Sequence, residues 1–301
     1  MRLLIPLLLA LTPLAAQQVA LTFDDGPRTK PTALLTPAAR NQALLDHLAK
    51  AGVPGALFVT LGNGADTAEG LALLRAWGAA GHRIGNHTVT HPDLNAAGVT
   101  LAAYQAELEA CDKVIATVPG YRPWFRFTFL REGNTPEKRD GMRAFLKAKG
   151  WRNAYVTLDT SDWRLDEKLG EVLSRNPKAD LTPIRDAYVA HVKQRAEAYR
   201  DLSRKLLDRE IPQVMLMHHN LLNALFLGDV MAMLRREGWA FVDPEKAFED
   251  PVYQLHPERP RPGQSLLLSL ARSRGWKDLP AFERLVDDGD FEIAALEKQG
   301  Y

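Results

Sequence analysis

The segment Leu21-Thr22-Phe23-Asp24-Asp25-Gly26-Pro27 closes an apolar run that begins at Val19. Such a run, stopped by charge and a Gly-Pro turn, reads as a short buried strand. Two carboxylates side by side at a strand end repel each other unless something positive sits beside them. A metal ion or an arginine would serve. So would bulk solvent, around an ordinary Asp-Asp-Gly turn. The rest of the chain decides.

Downstream of this strand the pattern alternates. Helices are expected over 41–51, 67–80, 99–118, 136–149, 182–208 and 221–236, with Gly52, Gly81 and Gly150 just past three of them and Pro136 opening another. Between them, 56–60, 83–85, 124–129, 154–158, 213–217 and 240–242 read as strands. Seven strand candidates with intervening helices predict a parallel α/β barrel or a doubly wound sheet. The charged stretch 164–211 reads as one or two helices on the outside or beside the site rim. From 251 onward, Pro257, Pro260, Pro262 and Gly263 punctuate short helices near 266–272 and 282–285. This stretch reads as a C-terminal helical appendage.

The composition excludes several classes. Of 301 residues, 46% are hydrophobic and 25% charged, with a net charge of +1. That is globular composition with ample length for a large core. No long run of like charge points to nucleic acid or an anionic membrane. The single cysteine, Cys111, forbids an intrachain disulfide and lies in a helical setting, where a buried structural thiol is expected. Residues 1–16 stand apart, with Arg2, an apolar run over 3–11 and the small residues Ala15-Ala16. They read as a signal peptide cut near Ala16, too short to span a bilayer and followed by no lipid-anchor cysteine. The expectation is a secreted or periplasmic protein with no stable membrane insertion after cleavage. Its domains would be 1–16 signal, 17–250 catalytic domain and 251–301 appendage.

Four of the eight histidines sit in two clusters. In His87-Thr88-Val89-Thr90-His91-Pro92, one helical turn would put both imidazoles on one side, a two-nitrogen arm for a divalent cation. Like Asp25 it follows a strand, and strand C-terminal ends share one face of a parallel barrel. In Met215-Leu216-Met217-His218-His219, alternation sends only one histidine to that face. Leu158-Asp159-Thr160-Ser161-Asp162-Trp163 is another strand ending in carboxylates. Phe125-Arg126-Phe127-Thr128-Phe129 embeds an arginine among aromatics, where it needs a carboxylate partner if desolvated. Tyr121, Trp124 and Trp163 are aromatic residues near the same strand ends.

In chain order, T-F-D-D-G-P, H-T-V-T-H, R-F-T-F, D-T-S-D-W and V-M-L-M-H resemble the five motifs of the polysaccharide deacetylases, metal-dependent carbohydrate esterases. The likeness spans residues 19 to 245, and Thr128 stands where the family usually has proline. It implies a distorted (β/α)7 barrel with the site at the strand C-terminal ends. By this resemblance Asp25, His87 and His91 bind a divalent cation, with zinc the leading candidate. Asp24 is the general base and Arg126 its partner. His218 is the general acid, oriented by Asp162. The Phe129 N–H stabilises the oxyanion, and Trp163 and Leu216 wall the acetyl pocket. The implied activity is removal of N-acetyl groups from N-acetylglucosamine-type polysaccharide or peptidoglycan, with the acetylated glycan as partner. An O-acetyl esterase or amidase, and a non-catalytic glycan-binding envelope protein, are the alternatives.

Overall fold

The computed structural model describes residues 16–258, 263–286 and 289–301. Eight strands and eleven α-helices follow in the order β1 (Gln17–Gly26), α1 (Pro37–Ala51), β2 (Gly55–Val59), α2 (Ala68–Ala79), β3 (Arg83–Asn86), α3 (Leu101–Ile115), β4 (Tyr121–Phe125), α4 (Pro136–Lys149), β5 (Arg152–Asn153), β6 (Leu158–Asp159), α5 (Asp162–Arg175), α6 (Thr182–Leu207), β7 (Gln213–His218), α7 (Leu221–Arg236), β8 (Trp239–Phe241), α8 (Pro244–Ala247), α9 (Leu266–Ser273), α10 (Leu279–Leu285) and α11 (Asp290–Lys298). The signal-peptide segment up to residue 15, and Pro260 and Pro262, lie outside the described residues.

Local chemistry explains the helix starts. Thr36, Thr67, Thr100 and Thr135 each precede a helix, and each hydroxyl accepts the backbone N–H three residues on. That satisfies one of the amides a helix leaves without a partner.

All strand pairings are parallel, in the order β5-β4-β3-β2-β1-β7-β6, with β8 on the N-terminal end of β1. β1 is the hub. It pairs β2 along one edge, β8 at Gln17 to Val19 on the other, and β7 from Val19 to Asp24. Val19, Ala20, Leu21 and Phe23 are fully buried in the main core. β5 and β6 are the two ends of one bent passage with no helix between them. Ala154 N–H bonds the Phe125 carbonyl at 2.7 Å and Thr157 N–H bonds the Val214 carbonyl at 3.1 Å. The same passage therefore touches β4 at its start and β7 at its end, and closes the ring. Counted as one strand, it leaves the seven of a distorted (β/α)7 barrel.

Two strand expectations change. The strand over 124–129 ends at Phe125, and Thr128–Leu130 forms a 3-10 turn with Phe129 at φ 54°. The strand over 154–158 is the bent passage: Ala154 to Thr157 switch from one neighbour to the other and pair continuously with neither. The stretch 164–211 resolves into α5, which starts at Asp162, and α6. The C-terminal segment holds three helices, and Leu266, Leu267, Leu268, Ile293 and Leu296 join the barrel's own core. Leu266 N–H reaches the Val156 carbonyl at 2.7 Å, so α9 docks on the bent passage. Cys111 is fully buried, and burial pushes its thiol up to about 12.

Candidate active site

Parallel pairing brings the C-terminal ends of the strands to one face. There a cavity of about 550 Å³ is lined by residues that include Asp24, Asp25, His87, His91, Trp163 and His218. Asp24 and Asp25 both reach this cavity and both approach His87 Nε2, at 3.6 and 3.8 Å, and Asp25 takes the left-handed φ of 65°. Gly26 follows, and a Cβ there would stand 2.5 Å from Leu57 Cδ1 and 3.1 Å from His219.

Asp25, His87 and His91 form one cluster whose ligand atoms lie within 4.8 Å of one another. Asp25 Oδ1 is 3.8 Å from His87 Nε2 and 3.5 Å from His91 Nε2. His87 Nδ1 lies 2.8 Å from the Arg126 carbonyl, which can only accept, so Nδ1 carries the proton and Nε2 offers its lone pair to the cluster. Burial, reinforced by His87, pushes His91 down to about 4 and keeps it neutral. Burial alone would raise Asp25, but His218, His87, Arg28 and His91 together hold it well below the usual carboxylate range. Two imidazoles and a carboxylate match the donor set of a catalytic zinc site with open positions, so these residues fit a divalent cation.

Outer partners hold the cluster. Thr60 Oγ1 donates to Asp25 Oδ1 at 3.1 Å and Arg28 Nη2 to Asp25 Oδ2 at 2.7 Å. Glu107 of α3 accepts from Val89 N–H, Thr90 N–H and the Thr90 hydroxyl, pinning the loop between the two histidines. Sequence reasoning missed Thr60, Arg28 and Glu107. Only Thr60 carried a signal, as a polar residue at a strand end.

Asp24 is buried and faces Arg126, with Oδ1 2.7 Å from Nη1. Arg126 also donates to Thr22 Oγ1 at 2.8 Å and to the Ala154 carbonyl at 3.0 Å. Among the described residues its Nη2 has no hydrogen-bond acceptor, but the guanidinium carbon lies 4.0 Å over the Phe58 ring, which takes up part of that charge. Thr128 serves the same turn in proline's place. Tyr104 OH lies 2.8 Å from its hydroxyl and accepts its N–H at 3.2 Å, and the Thr128 hydroxyl also bonds the Pro92 carbonyl. The turn after Arg126 is thereby tied to the segment after His91.

His218 stands beside Asp24 in the β1–β7 register. Its Nδ1 is 2.7 Å from Asp162 Oδ1. Asp162 Oδ2 accepts from His218 N–H at 3.0 Å, Asn220 at 2.8 Å and Asn223 at 2.6 Å. Burial opposes charge on His218, but Asp162, Asp25 and Asp24 together outweigh it and raise the group to about 9. His219 turns the other way. It is fully buried, 3.0 Å from Asn41 Oδ1, and burial with Arg40 and Arg28 pushes it down to about 3. Phe129 and Trp163, 47% and 39% exposed, stand at the cavity with Leu216. Tyr121 and Trp124 do not reach it. Tyr121 bonds Asp112, and Trp124 packs on Phe248.

Fold and site together define a class: a parallel α/β barrel whose strand ends carry a three-residue cation site flanked by two carboxylate-paired groups. Residues 12–142 match the family model described as polysaccharide deacetylase. Over this segment, under half of its length, the chain is similar to that family. It is 30% identical over 154 residues to a chitooligosaccharide deacetylase of Rhizobium leguminosarum bv. trifolii, covering 49% of this chain and 60% of that one. It is 33% identical over 150 residues to a peptidoglycan-N-acetylglucosamine deacetylase of Bacillus cereus, covering 49% and 46%. The chain spans about half the length of the curated relatives it matches. Among solved structures it resembles a mutant of a CE4 family pseudoenzyme from Bacillus anthracis, with a TM-score of 0.53, 16% identity, and coverage of 77% of this chain and 67% of that one. That likeness shows the fold alone. Since the fold is shared with a pseudoenzyme, function has to be argued from the site.

Proposed function

We propose that the protein is a cation-dependent deacetylase that hydrolyses N-acetyl groups of an N-acetylglucosamine-type glycan. One observation supports this above the rest: the Asp25-His87-His91 cluster, the Asp24–Arg126 pair and the His218–Asp162 pair converge on one cavity. An amide is a poor electrophile with a poor leaving group, so it needs activation at the carbonyl, a base for water and an acid for the amine. Asp25, His87 and His91 would hold the cation, zinc being the best match to two imidazoles and a carboxylate. When bound, it supplies Lewis acidity toward the carbonyl oxygen and acidifies a water.

The chain's own residues supply the rest. Asp24 accepts the proton of the attacking water, and Arg126 fixes the carboxylate for that task. His218 donates its proton to the departing amine nitrogen, and Asp162 sets its orientation and keeps that proton on until about pH 9. The Phe129 N–H is the proposed oxyanion donor, and Trp163 and Leu216 the walls against the acetyl methyl. The relatives' names support chitooligosaccharide or peptidoglycan as the substrate class. The apolar stretch within residues 1–16 supports a secreted or periplasmic enzyme.

The test is acetate release from chito-oligomers, peptidoglycan and O-acetylated glycans, with and without a chelator. Acetate from the N-acetylated substrates, lost on chelation and restored by zinc, is the expected result. Release indifferent to the chelator would refute the cation's role. Release only from O-acetylated glycans would make the protein an esterase.

A further inference from the structure

α11 lies at the end of the C-terminal appendage, yet two of its side chains reach toward the turn that carries Asp162. Glu292 Oε1 is 3.0 Å from His191 Nδ1, outside hydrogen-bond alignment, and 3.6 Å from Arg195 Nη1. His191 and Arg195 are buried in α6. On its far side, His191 Nε2 lies 2.5 Å from the Thr160 carbonyl, which can only accept. The Thr160 hydroxyl donates to the Leu216 carbonyl at 2.7 Å. One residue later Ser161 takes the left-handed φ of 46°, and Asp162 opens α5. Further along α11, Glu297 Oε1 is 3.0 Å from the buried Lys168 Nζ of α5. The backbone also makes room. A Cβ at Gly289, just before α11, would stand 3.3 Å from His191 Cε1.

Apolar contacts alone would hold α11 against α6. Ile293 and Leu296 supply them. Burying a histidine, an arginine and a lysine against it is costly unless each is paired. All three pairings lead inward, two through α6 and one through the first turns of α5. A left-handed serine is a costly conformation that persists only where its surroundings over-determine it. His191 on the Thr160 carbonyl and Leu216 on the Thr160 hydroxyl fix the residue just before it.

We infer that Glu292 and His191 are positioning residues: through the Thr160 carbonyl they hold the Thr160–Ser161–Asp162 turn at the angle that aims His218 into the cavity. This rests on His218 acting as the acid. His191 and Glu292 touch neither substrate nor cation. They act on kcat through the orientation of one imidazole, where a small misplacement is enough to cost a large factor.

The experiment uses the full chain with zinc added, and two substitutions at one buried position. His191→Gln keeps an N–H able to reach the Thr160 carbonyl, whereas His191→Leu removes it at similar volume. Glu292→Gln is the third variant. The expected result is a kcat about tenfold or more lower for His191→Leu, partly restored in His191→Gln, with KM and zinc content near wild type. Glu292→Gln falls between them. The second readout needs no turnover. The proton shared by His218 Nδ1 and Asp162 gives a downfield proton NMR signal, which broadens or shifts in His191→Leu and is retained in His191→Gln. Wild-type kcat and an unmoved signal in His191→Leu would overturn the inference. So would equal losses in His191→Leu and His191→Gln, since a donor to Thr160 would then be irrelevant. A wild-type chain without deacetylase activity would refute the proposed function instead, and the NMR signal would still test the coupling.

Discussion

Asp24 and Asp25 are adjacent in sequence and face different partners. Both approach His87, but Asp24 is bonded to Arg126, whereas Asp25 is bonded to Arg28 and Thr60 and also lies beside His91. Their variants should therefore separate. Asp24→Asn is expected to lower kcat by roughly 10²–10⁴-fold with cation content near normal. Asp25→Ala is expected to lose the cation as well, read by metal analysis after dialysis. Retained turnover in Asp24→Asn would take the base role from it. A second separation concerns pH. In the proposed acid role His218 must be protonated, so its contribution would be full well below about pH 9 and lost as pH rises through that value. Asp162 is the largest raising influence. In Asp162→Asn the alkaline limb of kcat should move to lower pH, and an unmoved limb would assign that limb to another group.

The third and fourth motifs are turns, and turns were the least legible elements. Phe125-Arg126-Phe127-Thr128-Phe129 looks like a strand because aromatics favour strands. The ladder stops at Phe125, and Tyr104 and the Pro92 carbonyl take over. Both lie on distant segments that periodicity cannot see. Thr128→Val should cost about 1–3 kcal/mol, because it strands a buried tyrosine hydroxyl and a carbonyl. The thermal midpoint is the measurement, and a wild-type midpoint would remove Thr128 from the turn's support. The loop between His87 and His91 depends on α3 in the same way. Glu107→Ala should weaken zinc affinity by about 10–100-fold in a chelator competition, the usual effect of an outer partner. Unchanged affinity would mean that the loop holds its shape without α3.

For the molecule as a whole, the parallel alternation, most element positions and the residues of the site were legible, because buried strands and amphipathic helices write their period into the sequence. Two features were not. The bent passage at 154–157 has no pattern of its own, since its residues serve two neighbours. The appendage's role rests on Glu292 and Glu297 meeting α6 and α5, pairings that local sequence cannot encode. Buried neutral histidines set the molecule's response to acid. His82 accepts the Gly55 N–H at 3.0 Å, and burial, with Arg83, pushes it down to about 4. His219 sits at about 3. Both lie below the ordinary 6.5, so the unfolded chain binds more protons between those values. Stability should therefore fall as pH drops from about 6.5 toward 3, read by urea unfolding across that range. A midpoint flat down to pH 4 would contradict it.

β1 pairs on both edges, and its far partners come late. The Thr22 hydroxyl bonds the Met215 carbonyl across 193 residues, and the Gln17 side chain bonds the Ile211 carbonyl across 194. On the β2 edge strands add in chain order, but the other edge cannot be paired as it is made. A growing chain holds Val19 to Phe23 as an open apolar edge until β7 has emerged, and β7 needs the bent passage beside it. Such long-range closure is slow, and an unpaired strand edge invites association with other chains. The segment that carries Asp24 and Asp25 is thus also the segment most in need of protection before the barrel exists.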